Sequence, residues 1–407
     1  MKQRHFFALA LLWLCCAVLM AQHPLRRVQL IPDVEMNEVQ VLLTVHVEKA
    51  GKYDVELVRS AYADEEGEEV RFAERHTLGR GENQLEMLID MGENPHLWSE
   101  FHPDLYTLTA TLRGKGVTDQ VRHTFAMRSI ASDDTRLFVN GNPVFLRSVH
   151  DGCCYPDLSA DSLAAWRQFF ARLRQCGLNH YRFHLHAPTE AAFVAADEVG
   201  VYLSAAPSVS DPESTLSDPA LHLPPSMLDA PDSTCAWSLD RCKEGLERAL
   251  RTQRGGYQFC ALSDTAVAAS PQDTLQSLSD TLHALNAPVL PLAAVEACDS
   301  DTLRIALYIS NYTEEDHHHP LSWHLYSIGT DGRPTDALDT HGALDYIDAW
   351  QGCVTRVGEI HVPLALSHHA ALPRMKLYMW TGEYVNNETI DAEVQNNYRD
   401  TDYADSF

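Results

Sequence analysis

Apolar and polar residues alternate with a period of two at both ends of the chain and with a helical period between them. Val39–Val47 and Leu105–Leu112 alternate in short runs, and turn residues separate such runs at Gly79-Arg80-Gly81 and Gly114-Lys115-Gly116. That pattern predicts an immunoglobulin-like antiparallel β-sandwich over residues 23–130. The middle differs. Leu163, Trp166, Phe169, Phe170, Leu173 and Cys176 fall on one helical stripe, with Asp161 or Ser159 as the start signal and Gly177 as the stop. A strand is expected over Asn179–His186, a helix over Pro188–Val199 stopped by Gly200, and a strand over Val201–Ala206. A helix at Arg241–Arg251, a strand at Gly256–Leu262 and a helix at Leu275–Leu285 follow. Strand-helix repetition of this kind predicts parallel α/β structure over 131–286, interrupted by a Ser-, Pro- and Asp-rich linker at 208–234. Alternation returns at Leu303–Ile309, Leu321–Tyr326 and Met375–Trp380, which predicts a second β-sandwich over 287–385 and a mobile acidic tail at 386–407.

The fold class expected is therefore multidomain, α/β plus all-β. A length of 407 residues agrees with two or three domains. Lys2 and Arg4 precede an apolar run from Phe6 to Ala21, so residues 1–22 read as a secretory signal peptide, with an uncleaved anchor as the alternative. The expected location is secreted or periplasmic, with no membrane span once the leader is removed. The formal charge of −26 sets up a field that repels phosphate backbones, which argues against nucleic acid as a partner and leaves neutral ligands open. After the leader come Cys153, Cys154, Cys176, Cys235, Cys242, Cys260, Cys298 and Cys353, with no CxxC pair and no zinc-type spacing. No metal and no cofactor is expected.

The chemistry concentrates on Asn179–His186. Tyr181, Phe183 and Leu185 alternate with His180, Arg182, His184 and His186. The apolar set faces covering helices, and the polar set faces either the mouth of a barrel or, on an edge strand, solvent. Burying four polar groups unpaired is costly, so water or ligand should reach them. There is no GxSxG, Walker A, GxGxxG or HExxH motif. His317-His318-His319 reads as a solvated turn. Glu190, Asp197, Glu198, Glu244 and Glu247 fall on helices, where a solvated face is expected.

Several ordered segments resemble one family. Asn94-Pro95-His96-Leu97-Trp98-Ser99 followed by Pro103-Asp104-Leu105-Tyr106 is similar to the end of the immunoglobulin-like domain of glycoside hydrolase family 2. Leu137–Arg147 resembles the first barrel strand of that family and Cys176–His184 the second. Gly255-Gly256-Tyr257-Gln258-Phe259 resembles a late barrel strand, and Asn311-Tyr312-Thr313 with Trp323 the C-terminal sandwich of a secreted bacterial branch. The resemblance implies a β-galactosidase- or β-glucuronidase-like fold that hydrolyses O-glycosidic bonds. It implies a substrate-binding set at the barrel mouth of His150, Asp151, Arg182, His184 and His186.

The chain also departs from the family. It has room for one sandwich ahead of the barrel and for about four barrel strands, so an incomplete TIM-type barrel is expected. Retaining hydrolysis needs two carboxyl groups. The family's acid/base Glu follows an Asn, and here Asn-Glu occurs only at Asn37-Glu38 and Asn387-Glu388, in sandwich or tail regions. The third strand ends in Ala205-Ala206, and Asp264 is the one acid at an expected strand end. The expectation is a catalytically impaired, carbohydrate-binding member. The alternatives are a hydrolase that pairs Asp264 with an acid from Asp211–Asp232, and a non-catalytic carbohydrate-binding or protein-interaction module. Exposed edges of a partial barrel further predict homo-oligomers.

Overall fold

A computed structural model of the chain describes residues 23–61, 69–133, 136–151, 162–205, 228–229, 239–259, 280, 282–298, 302–363 and 374–391. The expected leader, Cys153, Cys154, Asp264, most of the 208–234 linker and the tail beyond Asp391 lie outside the described residues. The chain divides into two units, one ending at Ser129 and the other beginning at Ile130.

In the first unit the strands are β1 (Leu25–Asp33), β2 (Glu38–Val47), β3 (Gly51–Ala61), β4 (Val70–Leu78), β5 (Gly81–Asp90), β6 (Tyr106–Gly114) and β7 (Val117–Phe125). They form two antiparallel sheets, β1-β2-β5 and β4-β3-β6-β7. Val39, Val41, Leu43 and Val45 of β2 point into the core that Val55, Leu57, Leu108 and Leu112 complete from the other sheet. That is the expected sandwich. Lys115 and Gly116 join β6 to β7 with φ of 50° and 81°, the two left-handed positions that a tight hairpin demands. Trp98 is buried, its N–H donates to the Met127 carbonyl at 2.9 Å, and the Arg128 guanidinium lies 4.4 Å over its ring.

The second unit opens with a small sheet of β8 (Ile130–Ser132), β9 (Leu137–Val139) and β10 (Asn142–Val144). Then come β11 (Leu146–His150), α1 (Leu163–Gln175), β12 (His180–Phe183), α2 (Glu190–Val199), β13 (Tyr202–Ala205), β14 (Leu228–Asp229), α3 (Leu239–Arg251) and β15 (Gly256–Phe259). Capping sets the first two helices. The Ser162 hydroxyl, rather than Asp161 or Ser159, accepts from the Ala165 N–H; Thr189 caps α2, and Gly200 ends it at φ 80°.

These strands form one sheet in the order β13-β12-β11-β15-β14, with every neighbouring pair parallel. The chain steps outward from β11 to β13, restarts at the opposite edge with β14, and steps inward to β15. Both excursions move in the same direction across the sheet, so right-handed crossovers place α1, α2 and α3 on one face. The core agrees, since Trp166, Phe170, Ala195, Leu246 and Ala249 pack with Tyr181, Phe183, Tyr257 and Phe259. Trp166 is central: its ring lies 6.2 Å from Tyr181, 5.8 Å from Phe183 and 5.3 Å from Phe170.

The last part contains β16 (Val289–Cys298), β17 (Thr302–Asn311), β18 (Leu321–Ile328), β19 (Pro334–Leu344), β20 (Cys353–Pro363), β21 (Arg374–Thr381) and β22 (Tyr384–Asp391). Sheets β16-β17-β20 and β19-β18-β21-β22 make the second sandwich. β16 serves two cores: Leu290 and Leu292 pack with the α/β layer, and Val289 and Ala293 pack inside the sandwich.

Several expectations need correction. β22 is paired with β21 through Asp391, so residues 386–391 are strand and not tail. Leu228 and Asp229, placed in the linker, form β14. Glu247 is 3% exposed rather than solvated, because α3 turns that face toward β22 and β16.

Truncation of Trp166 tests the aromatic layer. Trp166→Ala is expected to cost about 3–5 kcal/mol in denaturant unfolding of the whole chain, the range for a large aromatic removed from a packed core.

Candidate functional site

Neighbouring residues in parallel strands share a face, so the registers of the sheet define its two sides. Val149, Tyr181, Leu203 and Phe259 form the row facing the helices. Ser148, His180, Tyr202 and Gln258 form a row on the opposite face, and His150, Arg182 and Ser204 form the next one toward the C-terminal ends. The polar alternation expected from the sequence is thus present, on the side away from the helices.

Its lower row is closed. His180 is fully buried, with Nδ1 2.6 Å from Ser148 Oγ and Nε2 2.9 Å from Ser204 Oγ. One imidazole therefore bridges β11, β12 and β13. Burial and, secondarily, the Arg182 charge push its pKa down to about 3. The expectation that water or ligand reaches His180 is corrected: paired ring nitrogens remove the cost of burial.

The C-terminal ends carry the accessible groups. β12 ends at Phe183, so His184, Leu185 and His186 lie beyond the strand, and Leu185 is 59% exposed instead of facing the helices. Asp151, directly after β11, holds this segment in place. Its carboxylate oxygens accept the N–H groups of His184, Leu185 and His186 at 2.8–3.0 Å, and His186 Nδ1 lies 3.1 Å away. Burial alone raises the Asp151 pKa, but the hydrogen bonds from Leu185, His184 and His186 outweigh it and hold the carboxyl below its ordinary value. Expected as a substrate ligand, Asp151 instead spends its acceptors on its own chain and is a positioning residue.

His150 and His184 meet edge to face, with centroids 6.0 Å apart. Burial, then the neighbouring His184, lowers the His150 pKa, so the ring is neutral near pH 7 and can both donate and accept. Arg182 shares the register row of His150 and adds a fixed cation. The neutral His150 imidazole and a guanidinium beside the anchored loop suit recognition of hydroxyl groups. Among the described residues no cluster of His, Cys, Asp and Glu fits a metal ion. His317 bonds to Thr381 at 2.7 Å and His318 to Asp348 at 3.0 Å, so these adjacent rings point to different partners.

The buried scaffold behind the site was only partly legible. Asn179 accepts the Arg147 N–H at 2.7 Å and donates to the Phe145 carbonyl at 3.1 Å, which locks β11 to the entry of β12. Asn179 stood inside the segment that marked the second strand, but nothing in its spacing showed this bridging role.

Comparison with known proteins places the first unit. Residues 24–128 match the family described as glycosyl hydrolases family 2. Residues 24–128 therefore carry the likeness to glycosyl hydrolase family 2. It is 26% identical over 175 residues to a protein of Formosa agariphila named "Putative beta-glucuronidase", which covers 42% of this chain and 21% of that protein. The β-D-mannosidase of Dictyoglomus thermophilum superposes over 90% of this chain and 66% of its own, with a TM-score of 0.60 at 11% identity. The exo-chitosanase CsxA of Amycolatopsis orientalis superposes over 90% and 63%, with a TM-score of 0.52 at 12% identity. The chain thus spans about a fifth of the curated relative and about two thirds of the two solved structures. At identities this low, the TM-scores show a shared fold alone.

Two substitutions test the site. Asp151→Ala is expected to lower stability by about 2 kcal/mol by unfastening three N–H groups. Because the folded pKa is depressed, the Asp151 contribution is complete above its ordinary value of 3.8 and is lost as pH falls through the lower folded value. Chemical denaturation at neutral pH measures the loss. For His180, the unfolded ring gains a proton below its ordinary 6.5 while the folded ring does not. His180→Asn should therefore gain in melting temperature relative to wild type as pH falls from about 7 to about 5.

Proposed function

We propose that the five-stranded sheet is an arc of a (β/α) barrel that binds β-linked sugars at its C-terminal strand ends without hydrolysing them by the family's two-carboxyl mechanism. One observation carries this reading: the acid at the mouth, Asp151, is committed to the backbone of residues 184–186. The ends of β12, β13 and β15 are Phe183, Ala205 and Phe259, none of them an acid. A retaining mechanism needs one carboxyl to protonate the leaving oxygen and a second to attack the anomeric carbon. Binding needs neither. His150 and Arg182 on the strand ends, with His184 and His186 on the loop that Asp151 fastens, supply hydroxyl-directed donors and acceptors. The position of β15, hydrogen-bonded to β11 on the side opposite β12, supports the barrel reading, since a closing strand occupies that place. The names of the two structural neighbours, a β-D-mannosidase and an exo-chitosanase, support β-linked hexose units as the ligand class.

The apolar run from Phe6 to Ala21 supports export of the chain. Strands β13 and β14 form the two ends of the sheet among the described residues, which supports pairing with a second copy. A second reading, hydrolysis by rearranged acids, draws on β14. Asp229 ends that strand in the register row of Tyr257, lower in the sheet than the mouth, and its partner would be Asp264.

Incubation of the purified chain with chromogenic β-galactosides, β-glucuronides, β-mannosides and β-glucosides tests both readings. No turnover is expected, together with sugar-dependent thermal stabilisation that Arg182→Ala and His184→Ala abolish. Turnover lost in Asp229→Asn or Asp264→Asn would overturn the non-hydrolytic reading. Absence of both turnover and stabilisation would overturn sugar binding.

A further inference from the structure

Helix α3 and strand β22 meet through two carboxyl groups. Glu247, in the middle of α3, accepts from Asn386 Nδ2 at 3.1 Å, and the same amide donates to the Pro291 carbonyl of β16 at 2.8 Å. Lys243 Nζ lies 3.5 Å from Glu247 Oε1 and Arg251 Nη1 3.9 Å from its Oε2. Each cation is also tied to backbone: Lys243 donates to the Asn387 carbonyl, and Arg251 to the Ala293 carbonyl at 3.3 Å. Glu388 lies two residues beyond Asn386 on β22, so it shares that strand face. Its Oε1 is buried with no hydrogen-bond partner, and the charge of Glu247 faces it.

Two neighbouring buried carboxylates cannot both keep their charges, because their repulsion in a poorly solvated place exceeds the cost of holding a proton. We infer that a protonated Glu388, hydrogen-bonded to Glu247, forms a pH-operated clamp that fastens α3 to the last strand of the C-terminal sandwich. The clamp is closed by acid and loosened by base.

The charged groups facing Glu388 are Glu247, Lys243 and Arg251 from α3, while β16 offers the carbonyls of Pro291 and Ala293. Burial, followed by the charge and hydrogen bond of Glu247, pushes Glu388 up to about 8 against the lowering pull of Lys243 and Arg251. The sign follows. Once detached, Glu388 titrates near the ordinary 4.5, so the closed state holds a proton that the open state releases. Closure is fully favoured below that value and weakens as pH rises through the folded pKa. α3 leads directly into β15, so the clamp connects a strand of the candidate site to the second sandwich without involving any residue proposed to touch sugar.

Hydrogen exchange of the full chain, corrected for intrinsic rates, tests the clamp in peptides covering 239–251 and 384–391. Between about pH 6.5 and about pH 8, protection in both segments should fall together by about tenfold per pH unit and then level off. Glu388→Gln keeps a neutral hydrogen-bonding group and should make protection independent of pH. Should that variant fail to fold, Glu247→Gln removes the neighbouring charge and should move the pH step to lower pH, because burial of Glu388 remains. A wild type with no pH step, a step that persists in Glu388→Gln, or a step left unmoved by Glu247→Gln would overturn the clamp.

Discussion

The parallel sheet owes its two unlike faces to Trp166. Fully buried against Tyr181 and Phe183, this ring presses α1 onto one side of β12 and so commits the alternate residues to the other side. Because strand side chains alternate with a period of two, the choice admits no compromise: a slip of one residue would drive His180 and Arg182 into the helix layer. The polar row, the loop beyond Phe183 and the anchoring by Asp151 all inherit their placement from that contact.

Polar groups then divide according to depth. His180, two rows from the open end, is satisfied by Ser148 and Ser204 and works as a neutral cross-brace of three strands. Asp151, one residue past β11, keeps its charge because four groups of the following segment point hydrogen at it. His150, Arg182, His184 and His186 remain nearest to solvent, and the chain carries their surface on a scaffold whose own hydrogen bonds are closed beneath it. A shared fold with glycosyl hydrolase family 2 does not by itself transmit catalysis, since hydrolysis needs a second carboxyl group and recognition does not.

Two buried titratable groups pull stability in opposite directions with pH. His180 favours the folded state as pH rises toward neutrality, and Glu388 favours it as pH falls toward the acid range. They occupy different layers, one inside the α/β sheet and the other where α3 meets β22. The second layer boundary is also crossed by β16, whose alternate residues enter two cores. Helix layer and C-terminal sandwich are thus joined by apolar packing along β16 and by charge at α3.

The sequence by itself determined the local elements. The stripe from Leu163 to Cys176, the stop at Gly200 and the alternation at Val39–Val47 are short-range signals, because helix and strand periods repeat within a few residues. It also indicated where polar groups gather, at His180–His186, and family likeness from Asn94 onward. What it could not show was how far each polar group lies from water. His180 and Glu247 were expected at accessible faces and are buried, and Asp151 was expected to meet a ligand and meets its own backbone. Those outcomes depend on partners 24 to 139 residues away in the chain, such as Ser204 for His180 and Asn386 for Glu247. Burial and charge are properties of the assembled neighbourhood, so only the tertiary structure decided them.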